Sequence, residues 1–94
     1  MLVYVTCDII IAGDIMKIIN EPIKVIAIFN IDGKIEPAQF WYDDQVVRIE
    51  KIMKTYKDKS YGNNNMMFVC QHKGCAIYEL KYEIKSNTWY LYKK

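Results

Sequence analysis

Phe40-Trp41-Tyr42-Asp43-Asp44-Gln45-Val46-Val47-Arg48-Ile49 is the stretch that decides the fold class. Three aromatic residues lead into Asp43-Asp44 and β-branched residues lead out, which is the pattern of strand, two-residue turn, strand. Asp is among the few side chains that tolerate the left-handed conformations of such tight turns. The same grammar returns at Asp32-Gly33, Lys73-Gly74 and Ser86-Asn87. An antiparallel β-meander is therefore expected from residue 23 onward.

Working outward, Ile23 to Asn30 is a nearly continuous apolar run of strand length, expected as a central strand buried on both faces. Pro37 opens the next strand, where a missing N–H costs least, with Ala38, Phe40 and Tyr42 on one face and Gln39 and Trp41 on the other. Trp41 is thus expected outward or half-exposed. In the third strand Val47 and Ile49 alternate inward, but Ile52 and Tyr56 carry the apolar face on at the opposite parity. The register must slip once near Glu50-Lys51, as at a β-bulge, and a bent strand is how small sheets curl into barrels. A helix from Arg48 to Tyr56 is the rival, because Ile49, Ile52, Met53 and Tyr56 stand at i, i+3, i+4 and i+7.

Lys57 to Asn65 is polar and reads as a loop in which nothing can pack. Met66 to Gln71 is the next strand. In Ala76 to Lys85 the residues Tyr78, Leu80, Tyr82 and Ile84 point one way and Glu79, Lys81, Glu83 and Lys85 the other, a half-buried, half-wet strand. Thr88 to Lys93 ends the sheet, with Trp89 and Leu91 on one face and Tyr90 and Tyr92 on the other. The fold class expected is mainly β: a small antiparallel, partly closed barrel of five or six strands, SH3-like in character.

The first 22 residues are a separate apolar segment of the same single 94-residue domain. They read either as a short helix capped by Asp8 or as two short strands around Ala12-Gly13-Asp14. Asp8, Asp14 and Lys17 interrupt them and no basic region precedes them, which speaks against a signal peptide. A membrane span is disfavoured too, since each central charge would cost about 2.5–3.5 kcal/mol. A domain of this size hides only about 60–65% of its unfolded surface. With 52% apolar residues, some of that surface is expected to meet a protein partner or a second copy. A net charge of +2 is well short of the basic stripe that phosphate binding leaves. Three cysteines, an odd number, point to a reducing, cytoplasmic setting.

Gly33, Pro37, Phe40, Tyr42, Val47, Ile49, Ile52, Tyr56, Tyr78-Glu79-Leu80 and Trp89-Tyr90-Leu91 together form a pattern over about residues 24–93. In it the chain resembles a small, functionally uncharacterised bacterial all-β domain family. That family usually carries Gly where this chain has Asp44, and residues 1–20 lie outside the match. The resemblance implies a β fold. Some relatives are encoded beside DNA-repair genes, which implies nucleic-acid or polymerase-associated work and gives no residue a role.

No nucleophile motif, phosphate loop or strong metal pattern is present. Cys70, His72 and Cys75, with Cys7 as a distant fourth ligand, could surround one Zn²⁺. Their C-x-H-x₂-C spacing is not a common zinc pattern, so a buried Cys70, a solvated His72 at a turn and a turn-side Cys75 are the expectation, with no cofactor. A Cys70–Cys75 disulfide is disfavoured in a reducing compartment. Asp43 and Asp44 are adjacent at a hairpin tip and serve turn geometry, not acid–base chemistry. The outward aromatics Trp41, Tyr90 and Tyr92, with Lys51 and Lys54 nearby, are the binding candidates. The expected function is a non-catalytic module that binds protein or peptide through an aromatic face or a sheet edge. Weak single-stranded nucleic-acid binding linked to DNA repair is the alternative, and a zinc-containing or redox-sensing domain the second alternative.

Overall fold

The computed structural model describes residues 17–59, 64–73 and 76–94. Seven antiparallel strands run through them: β1 (Ile18–Phe29), β2 (Ile35–Tyr42), β3 (Gln45–Arg48), β4 (Lys51–Asp58), β5 (Asn65–His72), β6 (Ala76–Glu83) and β7 (Thr88–Lys93). Their order across the sheet is β3-β2-β1-β7-β6-β5-β4. The first and last strands therefore meet in the middle, and β3 and β4, consecutive in sequence, form the two edges of a curled half-barrel. No described residue is helical, so the helix from Arg48 to Tyr56 is not formed. No helix among the described residues is long and apolar enough to cross a membrane.

The expected count of five or six strands is too low because the strand foreseen as one bent unit is two. After Ile49 the chain leaves β2 and joins β5: the Ile49 N–H still donates to the Ala38 carbonyl of β2 at 2.9 Å, and the Glu50 N–H donates to the Gln71 carbonyl of β5 at 2.9 Å. The register slip read from Ile49 and Ile52 is thus a corner at Ile49-Glu50. A true bulge follows it at Met53, between Ile52 opposite Cys70 and Lys54 opposite Val69. His72 pins the corner. Its Nδ1 lies 2.6 Å from the Arg48 carbonyl, and because a carbonyl only accepts, Nδ1 carries the proton.

The boundary drawn at residue 22 also shifts. Ile18 to Ile23 pair with β7, while Lys24 to Phe29 pair with β2, so β1 passes from one half of the sheet to the other. Within the β7 pairing a register break lies between Ile18 and Glu21, with Asn20 at φ 50°. The helix-or-hairpin alternative for residues 1–16 lies outside the described residues.

Phe40, Val47, Phe68, Cys70, Leu80, Tyr82, Trp89 and Leu91 form the buried core, with Ile23, Val25, Ile49, Ile52 and Tyr78 packed against it. Phe40 meets Tyr78 edge-on at 5.3 Å between ring centres, and Trp89 lies 4.7 Å from Tyr82. Such pairs are favoured by the ring quadrupole beyond their buried area. The alternation in β7 holds from Thr88 to Leu91 and is interrupted at Tyr92, the extra residue between Leu91 opposite Leu80 and Lys93 opposite Glu79. In β6 it holds as far as Tyr82 and fails at Ile84, which leaves the strand for the turn and is 43% exposed. The foreseen Ser86-Asn87 turn is the end of a longer one, with Asn87 at φ 55° and its side chain accepting from the Tyr82 hydroxyl at 2.7 Å.

Candidate interaction faces

The outward side of the sheet divides at β1. On one half, β1, β2 and β3 set their outward residues in directly opposed rows: Lys24, Trp41 and Val46, then Ile26, Gln39 and Arg48, then Ile28 and Glu36. The pleat dictates the first two rows, since Val25, Phe40 and Val47 take inward places between them, and a bulge at Ala38, between Gln39 opposite Ile26 and the buried Pro37 opposite Ala27, turns Glu36 outward in the third. Ile26, Ile28 and Val46 are 47%, 51% and 49% exposed. Trp41 is half-buried, and the Lys24 ammonium sits 4.7 Å above its ring. The expectation that Ile23 to Asn30 is buried on both faces is therefore corrected. The strand is central in the sheet but covered on its inward face only, and Phe29 and Ile31 at its hairpin end are exposed as well.

Beside Val46 this face opens into a depression of about 740 Å³ lined by Gln39, Val46, Arg48, Glu50, His72 and Lys73. It mixes two cations with one carboxylate. His72 stands half-buried on its wall, held to the Arg48 carbonyl, not free at a turn tip as expected.

On the other half, one row crosses five strands: Pro22, Tyr90, Lys81, Met67 and Tyr56. Lys81 stands 4.7 Å over Tyr90 and 5.3 Å over Tyr92, Lys93 lies 5.5 Å over Tyr92, and Lys54 5.3 Å over Tyr56. The wet face expected for β6 is partly dry, because Glu79 is 6% exposed, and Met67 beside it on β5 is 1% exposed. The Tyr56 hydroxyl donates to the Glu79 carboxylate across β5. Burial, and after it the Glu79 carboxylate, raises the Tyr56 pKa well above the usual tyrosine range. Asn65, foreseen in a loop with nothing to pack, is also buried here, opposite Glu83 and Asp58, with no partner for its Oδ1.

The five binding candidates do not make one surface. Trp41 faces out on β2, Tyr90 and Tyr92 on β7, and β1 runs between them. Lys54 serves Tyr56, and Lys51 lies exposed at the corner opposite Gln71. Sequence reading missed Ile26, Ile28, Val46 and Lys81. The signal for the first two was their shared parity with Pro22 and Lys24, which marks a face already polar at its start.

Of the zinc candidates, Cys7 and Cys75 lie outside the described residues. Cys70 is in the core with its Sγ 3.7 Å from the Phe68 carbonyl, and burial pushes its thiol up to about 12. That keeps it protonated, the form that neither attacks nor ligates. Among the described residues no three His, Cys, Asp or Glu side chains converge on a cation position.

No family model, curated protein or solved structure matches the chain.

Proposed function

We propose that the protein is a non-catalytic interaction module that binds another protein through the outward face of β1, β2 and β3. The observation that carries this reading is the row structure around Trp41: a half-buried indole flanked by exposed Ile26, Ile28 and Val46, with Lys24, Arg48 and Glu36 around it. A partly buried Trp beside exposed aliphatic residues, with charges alongside, has the composition of an interface hot spot. An unpaired edge is less suited to the task. β3 is only four residues long, and β4 carries a bulge at Met53 and exposed lysines at Lys51, Lys54 and Lys57, which are devices that discourage strand addition.

The test is a photo-crosslinking residue placed at Val46 in living cells, with Lys59 as the control position. Covalent protein adducts at Val46 and not at Lys59 are expected. Absence of adducts at Val46 would discard the reading.

A second reading rests on Tyr90 and Tyr92 under Lys81 and Lys93, which offers stacking rings and phosphate-seeking cations to a single nucleic-acid strand. Each stacked base is worth about 1–3 kcal/mol. It requires that a labelled thymidine oligonucleotide bind, that affinity fall steeply with salt, and that Tyr90→Ala lose it while Ile28→Asp does not.

A further inference from the structure

Arg48 is the only arginine of the chain and His72 its only histidine, and the fold brings both to the depression beside Val46. The bond from the Ile49 N–H to the Ala38 carbonyl makes Gln39 and Arg48 a non-hydrogen-bonded pair. In such a pair the side chains stand closest together and the backbone groups point away from the partner strand. The Arg48 carbonyl therefore faces the open edge of β3, where His72 Nδ1 takes it. With that bond made, the imidazole is fixed in place and so is the backbone from which the guanidinium projects.

Charge in the depression is unbalanced. Lys24, Lys54, Lys81, Lys93 and Lys94 each stand over an aromatic ring. Among the described residues Arg48 and Lys73 meet neither a ring nor a carboxylate, and Glu50 lines the same depression without pairing with either. Two cations against one carboxylate leave a surplus of one positive charge, and a concave protein wall focuses its field. A guanidinium is the side chain best matched to a planar oxyanion, because its parallel N–H groups meet two oxygens at once. A phosphate monoester, at about −1.5 to −2, exceeds the surplus and meets the Glu50 carboxylate. A single carboxylate matches it.

We infer that this depression receives an aspartate or glutamate side chain of the partner protein, and the inference rests on the reading that the face of β1, β2 and β3 binds protein. Arg48 grips the two carboxylate oxygens, the Lys73 ammonium adds charge and the Gln39 amide donates. His72 is a positioning residue, acting through the Arg48 carbonyl. Continuity with the face fixes the neighbour of that carboxylate. Val46 lies two residues from Arg48 on the same side of β3, about 7 Å along the strand, and directly opposite Trp41. A partner segment that sets an acidic side chain about 7 Å from an apolar one covers both places. A nucleic-acid strand brings single charges but no such apolar neighbour, and the rings on which bases would stack, Tyr90 and Tyr92, lie beyond β1.

A library of random peptides displayed on phage, selected on the immobilised full chain, tests the ligand chemistry. The counter-target is Arg48→Glu/Lys73→Glu. Both side chains are exposed and the His72 bond uses the Arg48 carbonyl, so the double variant keeps the fold, which far-ultraviolet dichroism checks. Selected peptides are expected to carry Asp or Glu near an aliphatic or aromatic residue. By calorimetry their affinity should fall about tenfold on the double variant, and about tenfold on the wild type when the peptide's acid is changed to its amide. On the double variant the amide change should have no further effect, because the contact is already gone. Glu50→Gln should tighten binding about threefold by removing the opposing carboxylate.

A library that yields no binder overturns the inference, as do selected peptides without acidic residues or acidic peptides that bind the double variant as tightly as the wild type. The Val46 crosslink separates this from the underlying reading. Protein adducts that are lost in Arg48→Glu/Lys73→Glu and map to a segment bearing Asp or Glu support both. Protein adducts that persist in the double variant, or map to a segment without an acid, keep the interaction face and remove the acidic ligand. Adducts that nuclease destroys, or none at all, remove both.

Discussion

Tyr56 on β4 reaches over β5 to place its hydroxyl on the Glu79 carboxylate of β6. The bond ties an edge strand to the interior of the sheet and gives a nearly buried carboxylate its donor. Removing that donor with Tyr56→Phe should cost about 1.5 kcal/mol in urea unfolding, at the low end for a bond to a charged group because the ring is 38% exposed. The bond also fixes a pH dependence. An unfolded tyrosine ionises near pH 10, whereas Tyr56 in the fold holds its proton to higher pH. The folded chain therefore binds more protons than the unfolded chain above about pH 10, and stability falls from there upward. Spectrophotometric titration should show one of the eight tyrosines ionising last, and Tyr56→Phe should abolish that late step.

Cys70 should be inert in the folded protein. Its thiol is buried and protonated, and thiolate is the reacting form. Alkylation at pH 8 with site-resolved mass spectrometry is expected to leave Cys70 unmodified until denaturant is added. Rapid labelling in native buffer would contradict its place in the core.

The half-barrel was legible in the sequence wherever a single pattern acted alone. Asp43-Asp44, Asp32-Gly33 and the alternation of Thr88 to Leu91 each specify a turn or a face locally, and each is found. What failed needed two levels at once. Ile26 and Ile28 look buried because the run around them is apolar, yet whether a second layer covers a sheet is a tertiary fact that periodicity cannot report. Glu79 and Asn65 look wet because they are polar, yet Tyr56 and the neighbouring strands close over that side. Trp41, Tyr90 and Tyr92 share outward parity, but parity says nothing about which strands stand between them. Only the pairing of β1 with β7 separates them.

Core and turn make a sharp contrast within β6. Leu80 is fully buried opposite Phe68 and Leu91, so Leu80→Ala should cost about 2–5 kcal/mol by lost transfer energy and a residual cavity. Ile84 has the same parity in sequence but lies in the turn, and Ile84→Ala should cost under about 0.5 kcal/mol. Chemical denaturation of the two variants measures the difference directly. Equal losses would mean that the strand continues through Ile84.

The corner between β3 and β4 hangs on few bonds. His72→Ala removes the donor to the Arg48 carbonyl and should cost about 1 kcal/mol. Its local signature is more telling. Amide exchange at Ile49 and Glu50, whose N–H groups bridge to Ala38 and Gln71, should accelerate while exchange at Leu80 changes only by the global loss. Unchanged protection at both amides would show that the histidine is not what holds the corner.

The hairpin that opens the sequence reading offers the last test. Asp43 and Asp44 both adopt left-handed backbone, at φ 54° and 61°, as the twist-matched two-residue turn requires. A side chain in that region costs about 1 kcal/mol, less for Asp, whose short polar group bonds locally. Asp44→Gly removes the penalty but adds freedom to the unfolded chain, and the two partly cancel. A net gain of about 0.5 kcal/mol is expected, or roughly 2–4 °C in Tm for a domain of this size. Asp44→Val should move the other way by about 1–2 kcal/mol, because a β-branched side chain is the worst fit to positive φ. If both variants unfold at the wild-type temperature, the turn is not of this type, and the facing of Trp41 against Val46 that depends on it would have to be redrawn.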